Sequence, residues 1–136
     1  MSGRIILDTN IIISLFNGDN DIYEYIKQAD EIFIPSIAIG ELYYGAHKSL
    51  NSRQNIRKIN EFVKENIVLP CSAATGMRYG EIKNSLKEKG KPIPENDIWI
   101  AAIAKEHSLV LITKDKHFKL IDDIKLLCSK SLIIMA

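Results

Sequence analysis

Two short apolar runs in this chain end alike: Arg4-Ile5-Ile6-Leu7 stops at Asp8-Thr9-Asn10, and Leu109-Val110-Leu111-Ile112 stops at Thr113-Lys114-Asp115. A continuous apolar run of this length, closed by turn-forming residues, reads as a strand buried on both faces. Two more, Glu31 to Ile34 and Ile67 to Leu69, are each followed by a proline, Pro35 and Pro70. Between them lie segments of helical length. Buried strands alternating with helices restrict the chain to α/β units, because parallel strands need crossovers that cover both faces of the sheet. The expected fold is therefore a three-layer α/β/α arrangement around a mainly parallel central sheet.

The helical segments carry their own start and stop signals. Ile11 to Phe16 is apolar until Asn17-Gly18, and Asn20 can cap a short helix through Ala29. Ser36 is a suitable N-cap for a helix from Ile37 to Lys48, which puts Glu41 between one and two turns from its start. A helix from Ser52 to Lys64 follows, and Ser72 caps a long amphipathic helix that ends near Gly90. The prolines of Lys91-Pro92-Ile93-Pro94 forbid helix there, and Asn96 opens one from Asp97 to His107 with so little polar surface that it must be largely buried. A short helix including Phe118 to Ile121, a weak strand at Lys125 to Leu127 and an apolar stretch at Leu132 to Ile134 complete the pattern. At 136 residues, one domain spanning 1–136 is expected.

In open parallel sheets ligands bind outside the carboxyl ends of the strands. Asp8 and Asp115 fall at such ends, while Glu41 and Asp97 lie early in helices that leave the same edge. Each acid alone has a local explanation as a turn or helix-start residue. Four converging on one edge do not, because like charges repel and partial burial penalises ionisation. A divalent cation removes that penalty. Carboxylates with hydroxyl and amide neighbours (Thr9, Asn10, Asn96, Thr113) suit Mg²⁺, with Mn²⁺ as a substitute, rather than zinc.

The same segments carry a family resemblance from Leu7 to Phe118. Leu7-Asp8-Thr9-Asn10, Glu41-Leu42-Tyr43-Tyr44-Gly45, Asn96-Asp97-Ile98-Trp99-Ile100-Ala101-Ala102 and Thr113-Lys114-Asp115 resemble a PIN domain in order, spacing and context, most of all the VapC-type toxins of bacterial toxin–antitoxin pairs. The resemblance implies a Mg²⁺- or Mn²⁺-dependent endoribonuclease, often a homodimer, held inactive by an antitoxin partner. It assigns Asp8, Glu41, Asp97 and Asp115 as catalytic metal acids, with Thr9, Asn10 and Thr113 in support. The implied chemistry is metal-assisted attack of water on an RNA phosphodiester, with Asp8 or Asp97 able to accept the proton. Glu95 has no assignment and reads as a solvated loop residue.

The remaining features narrow the alternatives. No apolar run approaches the ~20 residues that a membrane-spanning helix needs, so a cytoplasmic protein without membrane contact is expected. Cys71 and Cys128 lack metal-ligand spacing and read as buried thiols. The net charge of +1 gives no global attraction to nucleic acid, although residues 36–119 hold fourteen bases against nine acids. Lys114, Lys116, His117 and Lys119 flank Asp115, and Lys89 and Lys91 precede Asp97, where they could meet phosphates. His47, His107 and His117 read as structural or surface residues, and Trp99 as core. A haloacid-dehalogenase-like phosphatase needs an acid where Asn10 stands, and a receiver domain needs an early acidic pair, whereas Asp122-Asp123 is late. The surviving alternatives are a PIN-like RNA- or protein-binding module without catalysis, and a nuclease acting in RNA processing or on DNA.

Overall fold

The computed structural model describes residues 3–128. The first strand, β1 (Arg4–Leu7), runs into α1 (Thr9–Phe16), then α2 (Asn20–Ile26), β2 (Glu31–Pro35), α3 (Ser36–Lys48) and α4 (Ser52–Glu65). After β3 (Ile67–Leu69) come α5 (Ala73–Lys89), α6 (Glu95–Glu106), β4 (Val110–Thr113), a 3₁₀ helix (Lys116–Leu120) and β5 (Leu126–Cys128). All strand pairs are parallel, in the order β3-β2-β1-β4-β5. The expected apolar stretch at Leu132 to Ile134 lies outside the described residues.

The period of two along each strand divides the core. Ile6, Phe33 and Leu111 face α5 and α6, where they pack with Leu86, Ile98 and the apolar face of α6. Ile5, Leu7, Ile34 and Ile112 face the other way, against Ile11, Ile26, Ala38 and Ile59 of α1 to α4. Both faces of the sheet are thus covered, which explains why the strands are apolar throughout instead of alternating. Full burial of each such isoleucine or leucine contributes about 1.5–3 kcal/mol.

Helix starts differ from the sequence expectations in four places, the first being α1, which begins at Thr9 and not Ile11, with Asp8 as its N-cap. Asp19, not Asn20, caps α2 by accepting from the Ile22 amide. Ser36 lies inside α3, whose N-cap is Pro35 with no side-chain cap hydrogen bond; the proline's fixed φ of −75° suits the extended cap position. Likewise α6 begins at Glu95 after Pro94, so Glu95 is a helical residue and not a loop one. Ser72 does cap α5, through a capping box with Thr75.

The chain builds outward from β1 to β2 and β3 on one side, then returns to β4 and β5 on the other. This reversal makes the gap beyond the carboxyl ends of β1 and β4 a topological switch point, where side chains from both halves can meet. Leu7 pairs with Ile112, and the Asp8 amide donates to the Ile112 carbonyl at 3.0 Å. The next residues on the two strands are Asp8 and Thr113.

Candidate metal centre

Asp8 is the N-cap of α1, and its buried carboxylate has a partner for each oxygen. The Thr9 amide donates to Oδ1 at 2.8 Å and the Thr113 hydroxyl to Oδ2 at 2.6 Å. These bonds favour the ionised form, yet burial at 2% exposure dominates. With a smaller contribution from Asp97 and Asp115, it pushes the Asp8 pKa up to about 6. Asp97, in the first turn of α6, is also raised, mainly by burial and further by Asp115 and Glu41, against the lowering effect of His117.

Glu41 reaches the same place from α3, where the Thr9 hydroxyl donates to Oε1 at 2.7 Å. Asp115, one residue short of the 3₁₀ helix, accepts from Asn10 Nδ2 at 3.2 Å, while its amide donates to Thr113 Oγ1 at 3.0 Å. Asn10 also accepts from the Lys114 amide at 3.2 Å through Oδ1, which ties α1 to the segment after β4. All four acids line one cavity of about 570 Å³. Thr9 and Asn10 line it too, and Thr113 supports Asp8 from beneath.

His117, read from the sequence as a structural or surface residue flanking Asp115 near the site, contacts two of the acids. Its Nε2 lies 2.7 Å from Asp97 Oδ2 and 3.9 Å from Asp115 Oδ2, so with Asp97 ionised the imidazole donates to that carboxylate. One ligand atom each from Asp97, Asp115 and His117 lie within 4.8 Å of one another. A signal existed in the spacing: the turn that buries Phe118 in the core leaves the preceding residue at the mouth of the Asp115 site. Glu95 also lines the cavity and is bound by the Tyr79 hydroxyl and by Lys83 Nζ at 3.1 Å. Those two contacts, the hydroxyl first, lower its pKa.

Two other residues depart from expectation. Trp99 is only partly buried and stacks on Tyr79, with ring centroids 4.0 Å apart. Cys71 is exposed, whereas Cys128 is buried as expected. Tyr43 binds Asn60 and so joins α3 to α4.

The donor set fits a hard divalent ion: four carboxylates, two of them with raised pKa values, face one another without a lysine or arginine in the cavity wall. Comparison with known proteins identifies the family of the fold. The profile of the PIN domain matches residues 5–124. The chain belongs to the PIN-domain family. This PIN domain is 39% identical over 124 residues to ribonuclease VapC1 of Haemophilus influenzae strain R2866, covering 88% of the chain and 92% of that relative. It is 32% identical over 114 residues to the tRNA(fMet)-specific endonuclease VapC of Shigella flexneri, with coverage of 82% and 86%. Its fold matches the crystal structure of VapBC2 from Rickettsia felis bound to a DNA fragment from their promoter. The TM-score is 0.84 at 32% identity, over 94% of this chain and 98% of that one. No helix among the described residues of the PIN domain is long and apolar enough to cross a membrane.

Proposed function

We propose that this PIN domain is the toxin of a VapBC-type pair, an endoribonuclease that uses Mg²⁺, or Mn²⁺ in its place, held among Asp8, Glu41, Asp97 and Asp115. The observation that carries the reading is the convergence of four acids from four separate segments into one cavity, two of them with pKa values raised by burial and by one another's charge, a penalty that a cation relieves. Such an ion supplies Lewis-acid stabilisation of charge on the phosphate and activates water for attack.

The chain's own residues set up the rest. Thr113 and the Thr9 amide fix both oxygens of Asp8, leaving the carboxylate one rotamer. His117 orients Asp97, Asn10 orients Asp115, and Thr9 orients Glu41. Among the described residues, none of the four acids has a lysine or arginine salt bridge that would neutralise it before substrate arrives. Asp8 and Asp97, whose burial raises their pKa values, are the better proton acceptors of the four.

The partner is a small antitoxin, in keeping with the VapBC complexes of similar fold. An apolar groove lined by Ile13, Phe16, Leu42 and Ile59 opens beside Glu41, where a partner's helix can lie while a cationic arm enters the acid cavity. RNA is the substrate class, and tRNA(fMet) is the first RNA to assay because the Shigella flexneri relative is named for it.

The test is cleavage after removal of metal. EDTA should abolish it, Mg²⁺ or Mn²⁺ should restore it, and Ca²⁺ should bind without comparable turnover, because its larger and irregular coordination positions water less well. Undiminished cleavage in EDTA overturns the metal reading.

A further inference from the structure

A second cavity, of about 420 Å³, lies beside the acid pocket and is separated from it by one side chain. Glu95 lines both. The volume falls within the ~300–1,000 Å³ typical of small-molecule sites. Its floor is apolar, made by Leu86, Ile93 and Ile98, all buried. Its rim is basic, made by Lys83, Lys87 and Lys91.

The turn after α5 explains this grouping. Gly90 closes the helix at a φ of 65°, a left-handed conformation that costs glycine little and other residues more. The Lys91 amide then donates to the Leu86 carbonyl at 3.0 Å, which folds the chain back and sets Lys91 on the same cavity wall as Lys87. Pro92 and Ile93 continue over the floor towards Pro94 and the start of α6.

The lysines of this region are not equivalent. Lys89 is committed to Asp122 at 2.6 Å, Lys105 to the Asp122 carbonyl at 3.1 Å, and Lys83 to Glu95 at 3.1 Å. Among the described residues Lys87 and Lys91 have no ion-pair partner, and both are exposed. Two uncommitted cations over an apolar floor are complementary to a group that is anionic at one end and flat and apolar at the other. A nucleotide has that form. The acid pocket, by contrast, repels phosphate, so a polyanionic strand crossing it needs cations on the neighbouring step.

We propose that the Lys87–Lys91 cavity is the subsite for a nucleotide flanking the scissile phosphate, with its base on Leu86, Ile93 and Ile98 and its phosphate on the two lysines. This rests on the ribonuclease reading above and extends it to how the strand is gripped. Glu95, held by Tyr79 and Lys83, forms the partition that separates the flanking nucleotide from the reacting one.

The test is RNA binding by the whole chain in EDTA, measured against salt for the parental protein and for the double variant Lys87→Ala/Lys91→Ala. Each phosphate contact to a single strand contributes about 0.7 to the slope of log K against log salt. With one phosphate shared by the two lysines, the double variant should therefore lose about 0.7 from the slope and bind about fourfold more weakly at 0.15 M salt. Lys64→Ala, on the opposite side of the sheet and well exposed, should leave the slope at its parental value. Photocrosslinking of single-stranded RNA that carries 4-thiouridine should label residues 83–98. Both lysines are exposed, so the thermal melting of the variant should match the parent. A double variant with parental affinity and slope overturns the subsite, and so does crosslinking confined to other segments. If the substitutions instead change sedimentation while RNA binding stays parental, the cavity is a protein interface and the proposal falls. Failure of the ribonuclease reading looks different, because the parental protein then leaves RNA uncleaved in Mg²⁺ whatever the salt dependence of its binding.

Discussion

Replacing Asp8 by asparagine should stabilise the metal-free protein while removing its activity. The native carboxyl titrates at about 6 against an ordinary value of 3.8, because burial withholds solvation from the charge. An acid whose folded pKa is raised binds its proton more tightly when folded, so its contribution to stability falls as pH rises from the lower value through the higher one and stays lost above it. At ~1.36 kcal/mol per pH unit, the ionised side chain costs about 3 kcal/mol at neutral pH. The carboxamide introduced by Asp8→Asn carries no such charge but loses some of the bond from Thr113. Comparing two pH values cancels that fixed difference. Between pH 4.5 and 7.5 the advantage of Asp8→Asn over the parent should grow by about 2 kcal/mol. The assay is urea unfolding in EDTA at both pH values, read from midpoints at constant m. Cleavage in Mg²⁺ should meanwhile fall by at least about a hundredfold. An advantage that does not change between the two pH values refutes the claim that desolvation, and not local hydrogen bonding, governs Asp8.

Thr113→Val removes the hydroxyl that donates to Asp8, which disfavours the ionised carboxylate still further; cleavage at pH 7 should drop about tenfold and recover towards pH 9, as a pH–rate profile would record. His117→Ala should lower cleavage by about tenfold, less than Asp97→Asn, since it frees Asp97 to rotate without removing its charge; His117→Gln, which can still donate, should recover part of the loss. Ile112→Ala empties a fully buried position on β4 and should lower the unfolding free energy by about 2–5 kcal/mol, seen as a lower urea midpoint.

The strands and most helices were legible because each is written locally, in an apolar run such as Ile5-Ile6-Leu7 or a cap such as Ser72. The four acids were legible because strand ends and helix starts fix where Asp8, Asp115, Glu41 and Asp97 must lie in a parallel sheet. What escaped depends on contacts between distant segments. Glu95 was read as loop because prolines surround it, and nothing local shows that Tyr79 and Lys83 of the preceding helix bind it. His117 could be placed near the site by its closeness to Asp115, but its contact with Asp97, 20 residues away, could not be read locally. Trp99 was assigned to the core from its apolar neighbours, yet the helical period turns it towards Tyr79 at the edge of the packing between α5 and α6. Helix starts shifted by a residue where proline could serve as the cap.

The pairing of β1 with β4 also sets a clock. Asp8 and Thr113 are 105 residues apart, and at roughly 5–20 residues per second of synthesis the ribosome needs about 5–20 s to travel from one to the other. Through that interval α1 to α4 can gather on one side of β1, but its other edge stays unpaired and the acid pocket has only part of its wall. A chain synthesised only as far as α6 lacks Thr113 and Asp115 and so cannot yet hold the four-acid arrangement. The pocket is completed late and all at once, when β4 slots in beside β1.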